Sequence, residues 1–260
     1  MNFFLINILS NALKKNYFFV ILRKLIKRFE KDNSVEARKW AEQNAKLSTE
    51  DFCCLIDRKL FNQIETDLLS IKKDAKKKLS KLTVALGGGG NYILLYFLIC
   101  KIKPLNVVET GVAAGWSTLT ILRALKKNNK GKLYSSDFPY FRLKNPEHYV
   151  GYLAKNENIN NNWYLDIRGD DKALPEIKKK LRKNDIDLLH YDSDKSYSGR
   201  AKALKVLETK INSKTIIIFD DIQDNFHFRD YVEKTKNFFY VLRFGSKFIG
   251  IVGYDFLVKK

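Results

Sequence analysis

Beginning at Asn106, short apolar runs rich in β-branched residues alternate with longer runs of helical period, and nothing else in the chain constrains its fold as strongly. "NVVETG" reads as a strand and "GWSTLTILRALKKN" as a helix. "KLYSSDFP" and "NNWYLDIRGD" read as two further strands. The helix "KALPEIKKKLRKN" leads into the strand "IDLLHYD", and the helix "SGRAKALKVLETKI" into the strand "TIIIFDD". Alternation at this spacing predicts an α/β fold, a doubly wound, mostly parallel sheet of seven strands with helices on both faces. The tail breaks the pattern. In "FFYVLRFGSKFIGIVGYDFLV" two β-prone runs are split by Gly245-Ser246, which predicts a C-terminal antiparallel hairpin.

Ligands of such sheets bind outside the carboxyl ends of the strands. Asp137, Asp170, Asp192 and Asp220 all fall at or just after those ends, so they are expected to line one crevice. Asp194 follows Asp192 by two positions, and Asp221 follows Asp220 directly. Carboxylates this close repel one another, so something positive belongs among them. It can be a bound cation, or Lys195 can neutralise Asp194; Asp220 and Asp221 can equally bond to backbone.

The first strand-to-helix turn, "VVETGVAAGWST", carries Gly111 for a tight turn and Gly115 for close backbone approach at the helix start. Its spacing is G-x-x-x-G, with Ala113 where a middle glycine is common. A pyrophosphate wants G-x-G-x-x-G at a helix N-terminus. A cofactor without phosphates tolerates the change better, which weighs against a nicotinamide oxidoreductase. Asp137 ends the second strand, where a carboxylate can accept both ribose hydroxyls. Asp170 and Asp171 follow the third strand, near where an adenine would lie. Asp137 can also serve as a turn residue before Pro139, and Asp170 as a helix cap.

Residues 85 to 255 resemble the class I S-adenosylmethionine-dependent methyltransferases, with a Rossmann-like fold. Within them the chain is similar to the O-methyltransferase group that includes the metal-dependent macrocin and novobiocic acid enzymes. "VVETGVAAGWST", "LYSSDFP", "HYDSDKSY" and "IIIFDDIQDN" carry the resemblance. It implies a methyl donor contacting Glu109, Gly111 and Asp137, with Gly115, Ser117, Asp170, Asp171 and Asp192 completing the cofactor set. It also implies a magnesium ion held by Asp192, Asp220 and Asp221, with Asp194 as a candidate base. Related sequences often carry a His where Lys195 stands, so Lys195 is a second candidate. His227, in "DNFHF", is placed to reach substrate, whereas His190 lies inside an apolar strand and reads as a core residue.

That set of groups suits methyl transfer to oxygen. The sulfonium donor is already activated, so the protein must position the acceptor and raise its nucleophilicity. A divalent cation lowers the pKa of a bound hydroxyl, and a nearby base takes its proton. Magnesium prefers oxygen ligands, which carboxylates from adjacent strand ends supply. The expected acceptor is a sugar or small-molecule hydroxyl.

Lys and Arg number 48 against 29 Asp and Glu, a formal charge of +19, which raises an RNA methyltransferase as the alternative. Aromatics do not interleave with the basic runs as a base-stacking platform needs. Neither an RNA-binding domain nor an aromatic-Pro target-base motif is evident, so nucleic acid is not the expected partner. Residues 1 to 84 read as a helical extension and 85 to 260 as the cofactor-binding domain. "LGGGGNY" lacks the Lys-Ser/Thr ending of a phosphate loop, and reads as a hinge or as a mobile segment over the site.

Residues 1 to 31 read as an amphipathic helix, too interrupted for the ~18 to 20 apolar residues of a membrane span. From Lys14 to Lys31 there are seven Lys or Arg against one Glu. Such a helix can lie on an anionic membrane surface, cap the core, or pair with a second subunit in a homo-oligomer. A non-catalytic, membrane-peripheral protein on the same fold is a further alternative, disfavoured by the intact acidic positions. Cys53, Cys54 and Cys100 have neither disulfide-framework nor metal-ligand spacing, so a reducing cytoplasm is expected.

Overall fold

A computed structural model of the 260-residue chain describes residues 3–13, 18, 33–157, 161–183 and 185–253. The helix expected over 1–31 therefore lies mostly outside the described residues; within it, α1 runs Phe3–Ala12. Next come α2 (Ser34–Asn44), β1 (Ala45–Ser48), α3 (Thr49–Gln63), α4 (Glu65–Leu79) and α5 (Tyr92–Ile102). The alternating part follows as β2 (Asn106–Thr110), α6 (Trp116–Lys127), β3 (Lys132–Ser136), β4 (Trp163–Asp166) and α7 (Asp170–Leu181). It continues as β5 (Leu188–Tyr191), α8 (Tyr197–Leu207), β6 (Ile216–Phe219) and α9 (His227–Thr235), and ends in β7 (Phe239–Phe244) and β8 (Lys247–Val252).

All of these strands join one sheet in the order β1-β7-β8-β6-β5-β2-β3-β4. The strands from β2 to β6 are parallel, and β8 runs antiparallel to both β6 and β7. Strand order reverses between β2 and β5, where both neighbours leave their helices on opposite faces and a crevice opens.

The sheet has eight strands rather than seven. The additional one, β1, comes from the N-terminal extension and pairs parallel with β7. "AKLS" has no β-branched residue and alternates over only four positions, so pairing with β7 rather than local preference makes it a strand. The extension also supplies core. Phe52, Ile64, Ile71 and Ala75 are fully or almost fully buried with Leu94, Phe97, Leu119 and Ile121 on one face of the sheet. On the other face Ala41 of α2 joins Leu174, Ile177, Ala203 and Phe228. Among the described residues, the extension expected to be helical thus contains one strand and packs on both faces of the sheet.

Helix α6 begins where Gly115, at φ 93, turns the chain out of β2. Helix α8 begins at Ser196, whose side chain accepts from the Gly199 N–H. Helix α5 is capped by Asn91, which accepts from the Leu94 N–H and donates to Thr49 Oγ1 at 2.5 Å. That last bond ties the start of α3 to the end of the glycine run.

Candidate active site

The carboxyl ends of β5 and β6 bring Asp192, Asp220 and Asp221 together, each offering an oxygen within 4.8 Å of the others. Asp220 and Asp221 are 3% and 5% exposed. Asp220 Oδ1 is buried with no hydrogen-bond partner, which is unfavourable for a carboxylate unless a cation meets it. Burial and the Asp220 carboxylate both raise the Asp192 carboxyl above its usual range. The oxygen-only donor set suits a hard divalent cation.

Two ammonium groups already sit among these oxygens. Lys195 Nζ lies 3.1 Å from Asp192 Oδ1 and also contacts Asp221 Oδ2. Lys247 Nζ, from the first residue of β8, lies 3.0 Å from Asp221 Oδ1 and 3.9 Å from Asp220 Oδ2. Beneath the cluster Arg200 is wholly buried, and its Nη2 donates to the Asp220 and Asp221 carbonyls at 2.9 and 2.8 Å. Asp221 holds a left-handed φ of 50, costly for a non-glycine residue, and the Arg200 bond braces it there. The glycine run reaches the same place. A Cβ on Gly90 would lie 3.7 Å from Asp220 Oδ2 and 3.9 Å from Asp192 Oδ2.

The other expected residues divide. Asp137 stands at the end of β3, but its Oδ2 accepts from the Val112 and Ala113 amides at 2.9 and 2.5 Å, and its Oδ1 from Phe138 at 2.6 Å. It ties the first loop to the second strand. Glu109 is 0% exposed, and its Oε2 accepts from Thr118 and Ser135, both at 2.8 Å. Burial pushes its carboxyl up to about 7, against the lowering effect of the Ser117, Ser135 and Thr118 hydroxyls. Ser117 is likewise buried and belongs to that support.

The two glycines meet protein rather than open space. At Gly111, φ 83, a Cβ would come 2.3 Å from the Asp192 carbonyl oxygen; at Gly115 it would come 2.9 Å from Gly151 Cα. Asp170 accepts from Ser136 Oγ at 2.6 Å and Ser193 Oγ at 2.5 Å, linking the ends of β3 and β5, while Asp171 is exposed on the first turn of α7.

Two candidate catalytic groups belong elsewhere. Asp194 Oδ1 accepts from the Ser196 N–H and Oγ at 3.1 and 2.7 Å, and its carboxyl lies against Gly199. It shapes the start of α8 and stays out of the cluster. His227 is 5% exposed among Tyr197, Phe219 and Tyr231, with ring centroids 5.2, 6.0 and 6.3 Å away. Burial lowers its imidazole to about 4, so at neutral pH it packs as an uncharged ring. His190 is 2% exposed and held near 4 in the same way, as a core residue. Lys247 and Arg200 were not marked by the sequence, and Gly90 only as part of the glycine run. A lysine after a hairpin turn and an arginine inside a helix both read as solvated; only the glycine run gave a signal.

Residues 108–222 match a family model described as a methyltransferase domain. No curated protein matches the chain. Among solved structures it is similar to an O-methyltransferase from Bacillus cereus in complex with SAH, with TM-score 0.55 and 16% identity over 70% of this chain and 89% of that one. The SAH-bound methyltransferase PaMTH1 of Podospora anserina gives 0.53 and 13%, over 70% and 86%. The O-methyltransferase TomG of Streptomyces achromogenes, in complex with SAM, gives 0.53 and 12%, over 70% and 88%.

The chain has the Rossmann-like methyltransferase fold. In that fold the carboxyl ends of the strands form the crevice, and here they carry Asp137, Asp170 and the three clustered carboxylates. Among the described residues no helix is long and apolar enough to cross a membrane.

Proposed function

We propose that the protein is an S-adenosylmethionine-dependent O-methyltransferase of the macrocin and novobiocic acid type, acting on a sugar or small-molecule hydroxyl with help from a divalent metal. The observation that carries this is the convergence of Asp192, Asp220 and Asp221 at two adjacent strand ends of a methyltransferase fold. The methyl donor belongs over β2 and β3, with Asp137 facing its ribose. Asp192, Asp220 and Asp221 are the residues that would hold magnesium. When bound there, the ion would lower the pKa of the acceptor hydroxyl and fix its orientation. Lys195, whose ammonium contacts two of those carboxylates, is the residue we assign as base; it would release its own proton to solvent once an ion occupies the carboxylates, and the neutral amine would then take the acceptor proton. Gly90 flanks the cluster, where a Cβ would meet the Asp220 and Asp192 carboxylates at van der Waals distance.

The experiment is transfer of a labelled methyl group from S-adenosylmethionine to panels of sugar, phenol and RNA acceptors, with magnesium or with EDTA. Calorimetry with S-adenosylhomocysteine runs alongside. Label should reach a hydroxyl, and both EDTA and Asp220→Asn should abolish transfer while cofactor affinity stays unchanged. Absence of cofactor binding sinks the methyltransferase assignment. Full turnover in EDTA sinks the metal, and label in RNA alone favours the RNA enzyme.

A further inference from the structure

Asp221 receives two ammonium groups and a side-chain amide. Lys247 Nζ lies 3.0 Å from its Oδ1 and 3.1 Å from its Oδ2, and 3.9 Å from Asp220 Oδ2. Lys195 reaches Asp221 as well. Lys247 is the first residue of β8, opposite Phe244 across the hairpin. The backbone beside it is pinned: the Phe248 N–H donates to Gln223 Oε1 at 2.9 Å, and Gln223 Nε2 donates to Asp221 Oδ1 at 3.2 Å. The hairpin and the loop after β6 are therefore one connected piece, and Lys247 is presented to Asp221 by backbone as well as by charge.

A divalent ion held by Asp221 would share that carboxylate with the Lys247 ammonium, which engages both of its oxygens. Two cations on one carboxylate repel each other, and at such separations the repulsion is felt even with the screening typical of a protein surface. The Lys247 side chain is 43% exposed, so its ammonium can swing into water; the repulsion weakens ion binding without closing the site. With no ion to balance them, the carboxylates gain from the same charge. Asp220 and Asp221 are buried side by side, and stripping a cation from them leaves their charges to repel. One side chain thus stabilises the cluster and loosens its hold on a dication.

We propose, resting on the metal reading given under the proposed function, that Lys247 sets the affinity of the carboxylate cluster for a divalent ion. It is neither a ligand nor a catalytic residue; it is a tethered competitor that yields to the ion by turning outward. The C-terminal hairpin is thereby part of the site although it contributes no ligand oxygen.

The test is calorimetric titration of the full chain with manganese(II), after treatment with EDTA and removal of the chelator, for wild type, Lys247→Met, Lys247→Gln and Lys247→Arg. Urea midpoints in EDTA and calorimetry for S-adenosylhomocysteine are read on the same proteins. Lys247→Met and Lys247→Gln should bind manganese at least about tenfold more tightly than wild type, the scale of one unit charge moved away from the ion. Their urea midpoints in EDTA should fall, while cofactor affinity stays unchanged. Lys247→Arg keeps the charge and should stay near wild type. A lysine with a merely structural role would lose stability and metal affinity together. Manganese binding by both neutral variants that is no tighter than wild type therefore overturns the proposal and leaves the metal in place. Manganese binding by none of the four proteins removes the metal from the proposed function, and this role of Lys247 with it.

Discussion

Gly111 shows how one residue can be indispensable through the backbone it lets come close. Its φ of 83 lies in the left-handed region, and a Cβ would come 2.3 Å from the carbonyl of Asp192. Backbone cannot yield as a flexible side chain would. Gly111→Ala should therefore cost at least about 3 kcal/mol, read as a shift in urea midpoint, and loosen the carboxylate cluster with it. Gly90→Ala is the control: its Cβ meets only carboxylate oxygens at van der Waals distance, and its stability should change by less than about 1 kcal/mol. Legibility at this scale follows from where each group gets its neighbours. Asp192, Asp220 and Asp221 could be read because apolar strands announce their own ends. Asp194 was grouped with them because spacing along a loop does not distinguish a carboxylate in a crevice from one that shapes a helix start. Lys247 reaches the cluster from the C-terminal hairpin and Arg200 from the helix between β5 and β6, and no local pattern records either.

Among the elements, β1 changes how the N-terminal third is understood. A four-residue strand with no β-branched residue carries no signal of its own, whereas α6 and β6 declare themselves by period and composition. Its consequence is a boundary for truncation. Removing residues 1–31 should leave a folded protein that binds S-adenosylhomocysteine as tightly as the full chain, because no β1, α3 or α4 residue is lost. Removing residues 1–48 should not. It strips β1 from β7, leaves the edge of β7 open and uncovers the face that Ala37 and Ala41 bury. Solubility and circular dichroism of the two truncations decide this; a soluble, cofactor-binding protein lacking 1–48 would make β1 dispensable.

At the scale of the whole molecule, stability should depend on pH through Glu109. Its carboxyl is raised from 4.5 to about 7 by burial, so the folded state binds this proton more tightly than the unfolded chain does. That contribution is complete below pH 4.5 and is lost as pH rises through 7. Glu109→Gln has no such proton. The difference in urea stability between the two proteins isolates this group, because the others cancel. Wild type should fall relative to Glu109→Gln by up to about 3 kcal/mol between those pH values; parallel curves would mean that the carboxyl titrates normally.

The pairing of β1 with β7 also sets an order of events in synthesis. Ala45 meets Val241, so the first strand made in the sheet waits for nearly the last. Parallel pairing over such a separation is the slow kind, since the intervening chain must be ordered before the contact rewards it. On the ribosome, β2 to β6 can assemble while β1 has no partner, and its neighbours in α3 and α4 must be sheltered until the hairpin emerges. A nascent chain stopped before Phe239 would carry an open edge and a half-covered core, the state from which such a protein is most easily lost to aggregation.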